Sequence, residues 1–301
     1  MSREAFIDRK FTKGSLAIIE HANQIIDEYQ RQGFTLTLRQ LYYQFVSRDL
    51  LPNRQSEYKR LGSIVNDARL AGLVDWSAIE DRTRNVRRVS TWDDPADIME
   101  ACANSYREDL WSHQKYRPEI WIEKDALLGV IEPVCDRFRV PYFACRGYTS
   151  QSEQYAAGKR FAKARRERFR PIVFHLGDHD PSGIDMTRDN ADRLAMFARH
   201  DVEVRRLALN WEQVQEYDPP PNPAKDTDSR AEGYIAAFGD SSWELDALDP
   251  TVIDALITRA IESILDLDAW REAKDAEEAR RQSLVQASER WADIENFLRD
   301  N

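Results

Sequence analysis

The apolar positions of the first ninety residues recur at helical intervals. In "GSLAIIEHANQIIDEYQRQG" Leu16, Ile19, Ala22, Ile26 and Tyr29 share one face, which predicts a helix stopping at Gly33. "TLTLRQLYYQFVSRDLLP" predicts a second helix, opening on a threonine cap and closing before Pro52, and "SEYKRLGSIVNDARLAGLV" a third. These are followed by "VDWSAIEDRTR", which reads as a wing, so the segment suggests a helix-turn-helix or winged-helix unit. Many such trios of short helices bind nothing.

From Glu119 the pattern alternates between strands and helices. "EIWIE", "VPYFACRG", "PIVFHLGD" and "VEVRRLAL" read as strands, and "DALLGVIEPVCDRF", "SQSEQYAAGKRFAKARRERF" and "SGIDMTRDNADRLAMFARH" as the helices between them. This order predicts a parallel sheet with helices packed on its faces. Pro219, Pro220, Pro221 and Pro223 mark a loop, and residues 251–298 read as two helices, the last long, charged and suited to a solvated packing or dimer role. The predicted class is therefore α/β: a helical winged-helix-like domain (1–92), a Rossmann-like parallel-sheet domain (93–250) and a C-terminal helical segment (251–301).

Composition narrows the class. With 301 residues, 42% apolar and 32% charged, the chain can bury two cores, and disorder is not expected for most of it. No stretch approaches the roughly eighteen apolar residues of a membrane helix, and "MSREAFIDRKF" lacks a signal-peptide core, so a cytoplasmic protein is expected. Cys102, Cys135 and Cys145 fit neither a disulfide framework nor a zinc ribbon. A net charge of −10 argues against indiscriminate coating of nucleic acid. The charge is uneven, however. Residues 31–90 hold 11 Arg and Lys against 6 Asp and Glu, net +5, whereas residues 201–301 hold 11 against 24, net −13, which suits local contact with an anionic polymer.

The candidate chemistry lies in "PIVFHLGDHDPSGIDM". Asp178 and Asp180 follow a strand, one residue apart, where like charges repel unless a cation sits between them. Ligands of parallel sheets gather at the carboxyl ends of strands, and Glu123 ends "EIWIE". Three carboxylates meeting there form an oxygen-only cluster suited to Mg²⁺. In the plainer alternative, Glu123 pairs with Lys124 or a nearby arginine and the aspartates cap the next helix. His179, between the aspartates, points away by alternation and reads as structural or as a phosphate contact. Asp185 reads as a supporting group or simply exposed.

"IEKDAL", followed about fifty residues later by "GDHDPSGIDM", resembles the Toprim domain, and the Pro-Ser-Gly continuation looks most like the DNA-cleaving A subunit of topoisomerase VI and its meiotic double-strand-break relatives. The resemblance implies that Glu123, Asp178 and Asp180 hold Mg²⁺, with Mn²⁺ as a substitute. "CRGYTS" falls where the family has a Gly-containing loop, and "WELDAL" resembles a later segment in which Glu244 supports the site. "LRQLYYQF" looks like the family's Arg-x-x-Tyr-Tyr segment, which implies Tyr43 as the nucleophile toward DNA, Arg39 on the same helical face, and Tyr42 as the packing residue. A phenol has a pKa near 10, so attack at neutral pH needs a nearby cation or base.

Double-stranded DNA contacts are expected from Arg82, Arg84, Arg87 and Arg88 and from "KRFAKARRERFR", seven basic residues in a window of twelve. The resemblance further implies a homodimer, each protomer lending Tyr43 to its partner's acids. No Gly-rich phosphate loop is present, so a topoisomerase activity would draw on an ATP-hydrolysing partner in trans. Two alternatives remain: a Toprim nuclease that cuts with water, Tyr43 being structural, and a DNA-binding subunit without cleavage activity.

Overall fold

The computed structural model describes residues 3–79, 89, 91–223 and 230–300. The predicted arginines Arg82, Arg84, Arg87 and Arg88, and the end of the predicted wing, lie outside the described residues.

Three helices form the first unit: α1 (Lys13–Arg31), α2 (Leu38–Ser47) and α3 (Gln55–Leu70). Thr12 caps α1, and Thr37 with Gln40 forms a capping box on α2, so side-chain oxygens satisfy the first backbone N–H groups. α2 ends at Ser47, short of the expected Pro52, where Asp49 turns the chain in left-handed backbone. The apolar faces of the three helices bury Ile19, Ala22, Ile26, Leu41, Phe45, Leu61 and Val65 in one core, with Leu36 and Ile79 joined by a short parallel bridge at its side. α4 (Pro95–Ser105) connects this unit to the sheet.

The sheet is built from β1 (Tyr116–Ile122), β2 (Tyr142–Ala144), β3 (Arg170–Leu176) and β4 (Glu203–Ala208), all parallel in the order β2-β1-β3-β4. The helices between them are α5 (Leu128–Phe138), preceded by a 3₁₀ turn at Asp125–Leu127, α6 (Gln151–Arg166) and α7 (Pro181–Ala198). Alternation along the strands separates the two faces. Ile120, Ile122, Ile172, Phe174 and Leu176 join Val130, Ile131 and Val134 of α5 in one core, whereas Trp121 and Val173 join Ala157, Phe161 and Leu194 of α6 and α7 in another.

After β4 come α8 (Trp211–Tyr217), β5 (Asn222–Pro223), α9 (Ala231–Phe238) and β6 (Ser241–Ser242), the last pairing antiparallel with β5. A 3₁₀ turn at Leu245–Ala247 leads into α10 (Pro250–Glu262), α11 (Leu267–Glu289) and α12 (Trp291–Asp300), three helices where two were expected. Ile253, Ile257 and Ile261 of α10 and Trp270 of α11 sit in the same core as β1 and β3. α10 and the start of α11 are therefore packed into the α/β unit, whereas α12 buries no residue. Tyr29 of α1 donates to Asp249 Oδ2 at 2.5 Å, tying the first unit to the start of α10.

Candidate active site

The carboxyl edge of the sheet collects the acids. Glu123 follows β1, and its N–H donates to Leu176 O at 2.8 Å, which extends the ladder by one residue. Its Oε2 accepts the Asp178 N–H at 2.8 Å. A Cβ on Gly177 would stand 3.0 Å from that oxygen, so the glycine lets the carboxylate lie against the backbone. Gly183, in the first turn of α7, is tighter still, because a Cβ there would meet Asp178 O at 2.2 Å. Arg206 of β4 stitches the loop together, donating to Asp178 O at 2.6 Å, Gly177 O at 3.0 Å and Gly183 O at 2.8 Å.

The two aspartates diverge. Asp180 Oδ1 accepts the Gly183 N–H at 2.6 Å and the Ser182 hydroxyl at 2.9 Å, capping α7 as the plainer alternative holds. Asp178 turns inward, where Oδ1 accepts the Leu245 N–H at 2.8 Å and Oδ2 lies 2.9 Å from Lys124 Nζ. His179, between them, is buried among Trp211, Tyr234, Phe238 and Trp243, with Nδ1 2.7 Å from the Tyr234 hydroxyl. Burial, with the nearby Arg206, pushes its pKa down to about 4, so it is a neutral structural group.

Backbone hydrogen bonds between His179 and Trp243 lay "WELDAL" beside this loop. They bring in Glu244 and also Asp246, a buried acid of the same segment for which the sequence suggested no role. Lys124 Nζ lies 3.0 Å from Glu244 Oε2 and 3.1 Å from Asp246 Oδ1, so its ion-pair partners are Asp178, Glu244 and Asp246, not the Glu123 of the plainer alternative. Arg39 of α2 reaches the same acids, with Nε 2.9 Å from Asp246 Oδ2 and a terminal nitrogen on Glu244 Oε2. The Arg39 guanidinium stands over the Tyr43 ring, 5.8 Å from its centroid, and Arg39 and Glu244 are close enough to act on the charge of the Tyr43 hydroxyl. An unbroken chain of contacts thus runs from Tyr43 through Arg39, Glu244, Asp246 and Lys124 to Asp178, within one protomer.

The electrostatics follow from burial and from an excess of acid. Burial pushes Asp178 up to about 6 and Asp246 up to about 6, against the pull of Lys124. Glu123 is also raised, first by burial, with Asp180 adding repulsion. For Glu244 burial is outweighed by Lys124 and Arg39, which hold it down at about 2. Burial and the repulsion of Asp246 and Glu244 push Tyr43 up to about 12, with Arg39 opposing. Tyr43 is only 4% exposed. Its ring nevertheless lines a cleft of about 290 Å³ together with Arg39, Arg54, Asn53 and Tyr58. Tyr42 packs beside it, its hydroxyl accepting the Arg54 N–H at 2.7 Å.

Five carboxylates (Glu123, Asp178, Asp180, Glu244, Asp246) therefore face three cations (Lys124, Arg39, Arg206), a formal excess of two negative charges. That excess and an all-oxygen donor set fit one divalent cation such as Mg²⁺. Among the described residues no group of three or more His, Cys, Asp or Glu is placed so that it could hold a metal ion. The divergence of Asp178 from Asp180 and the Lys124 contact are the physical reason. Mg²⁺ needs no closed cage, since it commonly takes one or two carboxylates and completes its shell with water and substrate phosphates.

Asp185, the further acid of α7, lies 2.6 Å from the Tyr148 hydroxyl and 2.7 Å from Arg230, on the rim of a neighbouring open cavity. No known protein family matches the chain, and no curated protein matches it.

Proposed function

We propose that the protein cleaves double-stranded DNA at the carboxyl edge of its sheet by tyrosyl transesterification, with Tyr43 as nucleophile and Glu123, Asp178 and Asp180 as donors for one Mg²⁺ or Mn²⁺. The observation that carries this reading is the doubly negative acid cluster connected, residue by residue, to a tyrosine on the wall of a cleft lined by Arg39 and Arg54. In the step itself the Tyr43 oxygen bonds to the phosphorus as the bond to a deoxyribose oxygen breaks. The phenolic proton passes to water, which returns one to the leaving oxygen, while the Arg39 guanidinium over the ring offsets the charge developing on the phenolic oxygen. A divalent cation held by Glu123, Asp178 and Asp180 would supply charge neutralisation at the scissile phosphate. With Tyr43 buried and raised, attack requires α2 and the Leu245–Ala247 turn to part, exposing the hydroxyl to DNA.

An ATP-hydrolysing partner for strand passage belongs to the same proposal, whereas a homodimer that lends Tyr43 to the partner's acids would first have to break the contacts of Arg39 and Tyr43 with the acids of their own protomer. Burial of Tyr43 favours a second reading, in which water attacks and Tyr43 is a strut between α2 and the acids. Incubation of supercoiled plasmid with Mg²⁺ or Mn²⁺ tests both readings. Wild type should cut and Asp178→Ala should not, and equal cutting by the two would remove the acid edge from the reaction.

A further inference from the structure

The opposite edge of the sheet carries charge of the other sign. α6 and α7 both run from the carboxyl to the amino edge, so their C-termini, the turn 167–169 and the start of β3 meet there. Arg165, Arg166, Arg168 and Arg170 are exposed on this edge, and Arg199 is exposed at the end of α7. Lys115 joins them, since the Arg170 N–H donates to Lys115 O at 2.9 Å. Arg199 immediately follows Ala198, whose N would lie 3.0 Å from a Cβ on Gly158 of α6. Arg165 is seven residues further along α6, roughly 10 Å away.

Pairing distinguishes these arginines from several others on the surface. Arg188 holds Asp185 and Asp192, Arg280 holds Glu108, and Arg281 holds Glu278. Among the described residues none of the five makes an ion pair, and Glu167, the acid of the turn, reaches Lys163 at 3.8 Å instead. The cavity of about 320 Å³ nearby shows the contrast, because its Arg117, Arg139 and Arg160 are neutralised by Asp109, Glu277 and Glu119. Stabilisation of the helix C-terminus by cations accounts for Arg165 and Arg166 in the last turn of α6. It does not account for Arg170, which lies beyond that turn. Nor does it explain why Arg168 and Arg199 stand in left-handed backbone, at φ +70° and +60°, where glycine is the unstrained residue.

We propose that this edge binds the phosphate backbone of duplex DNA, at a site separate from the acidic edge. The proposal rests on the reading of DNA as substrate. Arginine forks match phosphate oxygens, and several unpaired arginines in a chain of net charge −10 provide local attraction without a uniformly basic surface. A seven-residue strand separates the two edges by roughly 23 Å, so the duplex held here is not the stretch being cut but one further along, or a second segment.

The test is equilibrium binding of a fluorescent 30-base-pair duplex in EDTA, across a salt series, with wild type, the triple variant Arg165→Ala/Arg168→Ala/Arg170→Ala, and the control Arg280→Ala/Arg281→Ala. The triple variant should bind at least about tenfold more weakly, with a slope of log K against log salt shallower by about 3, near one unit for each phosphate that no longer meets an arginine. The control should bind like wild type. Wild-type affinity and slope in the triple variant would overturn the proposal, as would a loss of self-association with DNA affinity unchanged, which would assign the edge to a second copy of the chain. Omitting the metal separates this outcome from the cleavage reading. Binding lost in the triple variant, with no cutting by wild type when Mg²⁺ is restored, would keep the DNA-binding edge and refute the cleavage chemistry.

Discussion

Replacing Lys124 by methionine removes the one ammonium shared by Asp178, Glu244 and Asp246 while keeping most of the side-chain volume. The Asp178 side chain is 10% exposed and that of Asp246 0%, so water replaces the lost cation poorly, and Arg39 remains on Asp246 and Glu244 but leaves Asp178 without its ion-pair partner. Removing one partner of a buried ion pair costs about 3–5 kcal/mol, which is a large share of the 5–15 kcal/mol that holds a typical domain together. Protonation limits the loss. Asp178 and Asp246 already titrate near 6, and without Lys124 they rise further and take up protons at neutral pH. The penalty should therefore be largest at pH 7.5 and shrink toward pH 5. Urea unfolding followed by fluorescence of the eight tryptophans measures it, and a double-mutant cycle with Asp246→Asn isolates the pair. A loss below about 1 kcal/mol at pH 7.5, or strict additivity in the cycle, would refute the claim that Lys124 holds the cluster together, since coupled neighbours differ from additivity by about 0.5–3 kcal/mol.

Gly183→Ala should destabilise by about 1–3 kcal/mol, because its Cβ would meet Asp178 O at 2.2 Å, whereas Gly233→Ala, with nothing within 4 Å, should be neutral or slightly stabilising; thermal melts of the pair decide this. In metal-free buffer, the stability of wild type relative to Asp178→Asn/Asp246→Asn should rise as pH falls from 7.5 to 5, a comparison that cancels the opposing contribution of His175 and His179, whose lowered pKa values cost stability over the same window. The carboxyls of Asp178 and Asp246 are raised from 3.8 to about 6, so their burdens are relieved as they protonate in the fold. Below pH 4.5 the sign reverses for Glu244. Its lowered pKa contributes stability that is lost as pH falls toward 2, and a difference between wild type and Asp178→Asn/Asp246→Asn that stays flat from pH 7.5 to 5 would contradict the assignments of Asp178 and Asp246.

Local patterns carried the parts of the molecule that depend on neighbours in the chain. The alternation of Ile172, Phe174 and Leu176 against Val173 and His175 is a strand buried on both faces, and Thr37 ahead of an amphipathic run is a helix start. α4 was not legible because it buries only Ala103, leaving little periodic signal. The break between α11 and α12 falls at Arg290, with no Gly or Pro to announce it. The acids of the site were visible as strand-end residues, but their partners were not. Arg39 meets Glu244 across 205 residues and Lys124 meets Asp246 across 122, separations that no periodicity encodes. Arg206 read as an ordinary strand residue, yet its bonds to three loop and helix carbonyls shape the acid edge.

The most direct test of the central claim is plasmid cleavage with Mg²⁺ or Mn²⁺, stopped with SDS and run with and without protease, for wild type and Tyr43→Phe. The account predicts breaks that enter the gel only after protease, because protein is joined to the cut end, and that vanish in Tyr43→Phe. Protein-free breaks that persist in Tyr43→Phe would contradict it and leave water as the nucleophile.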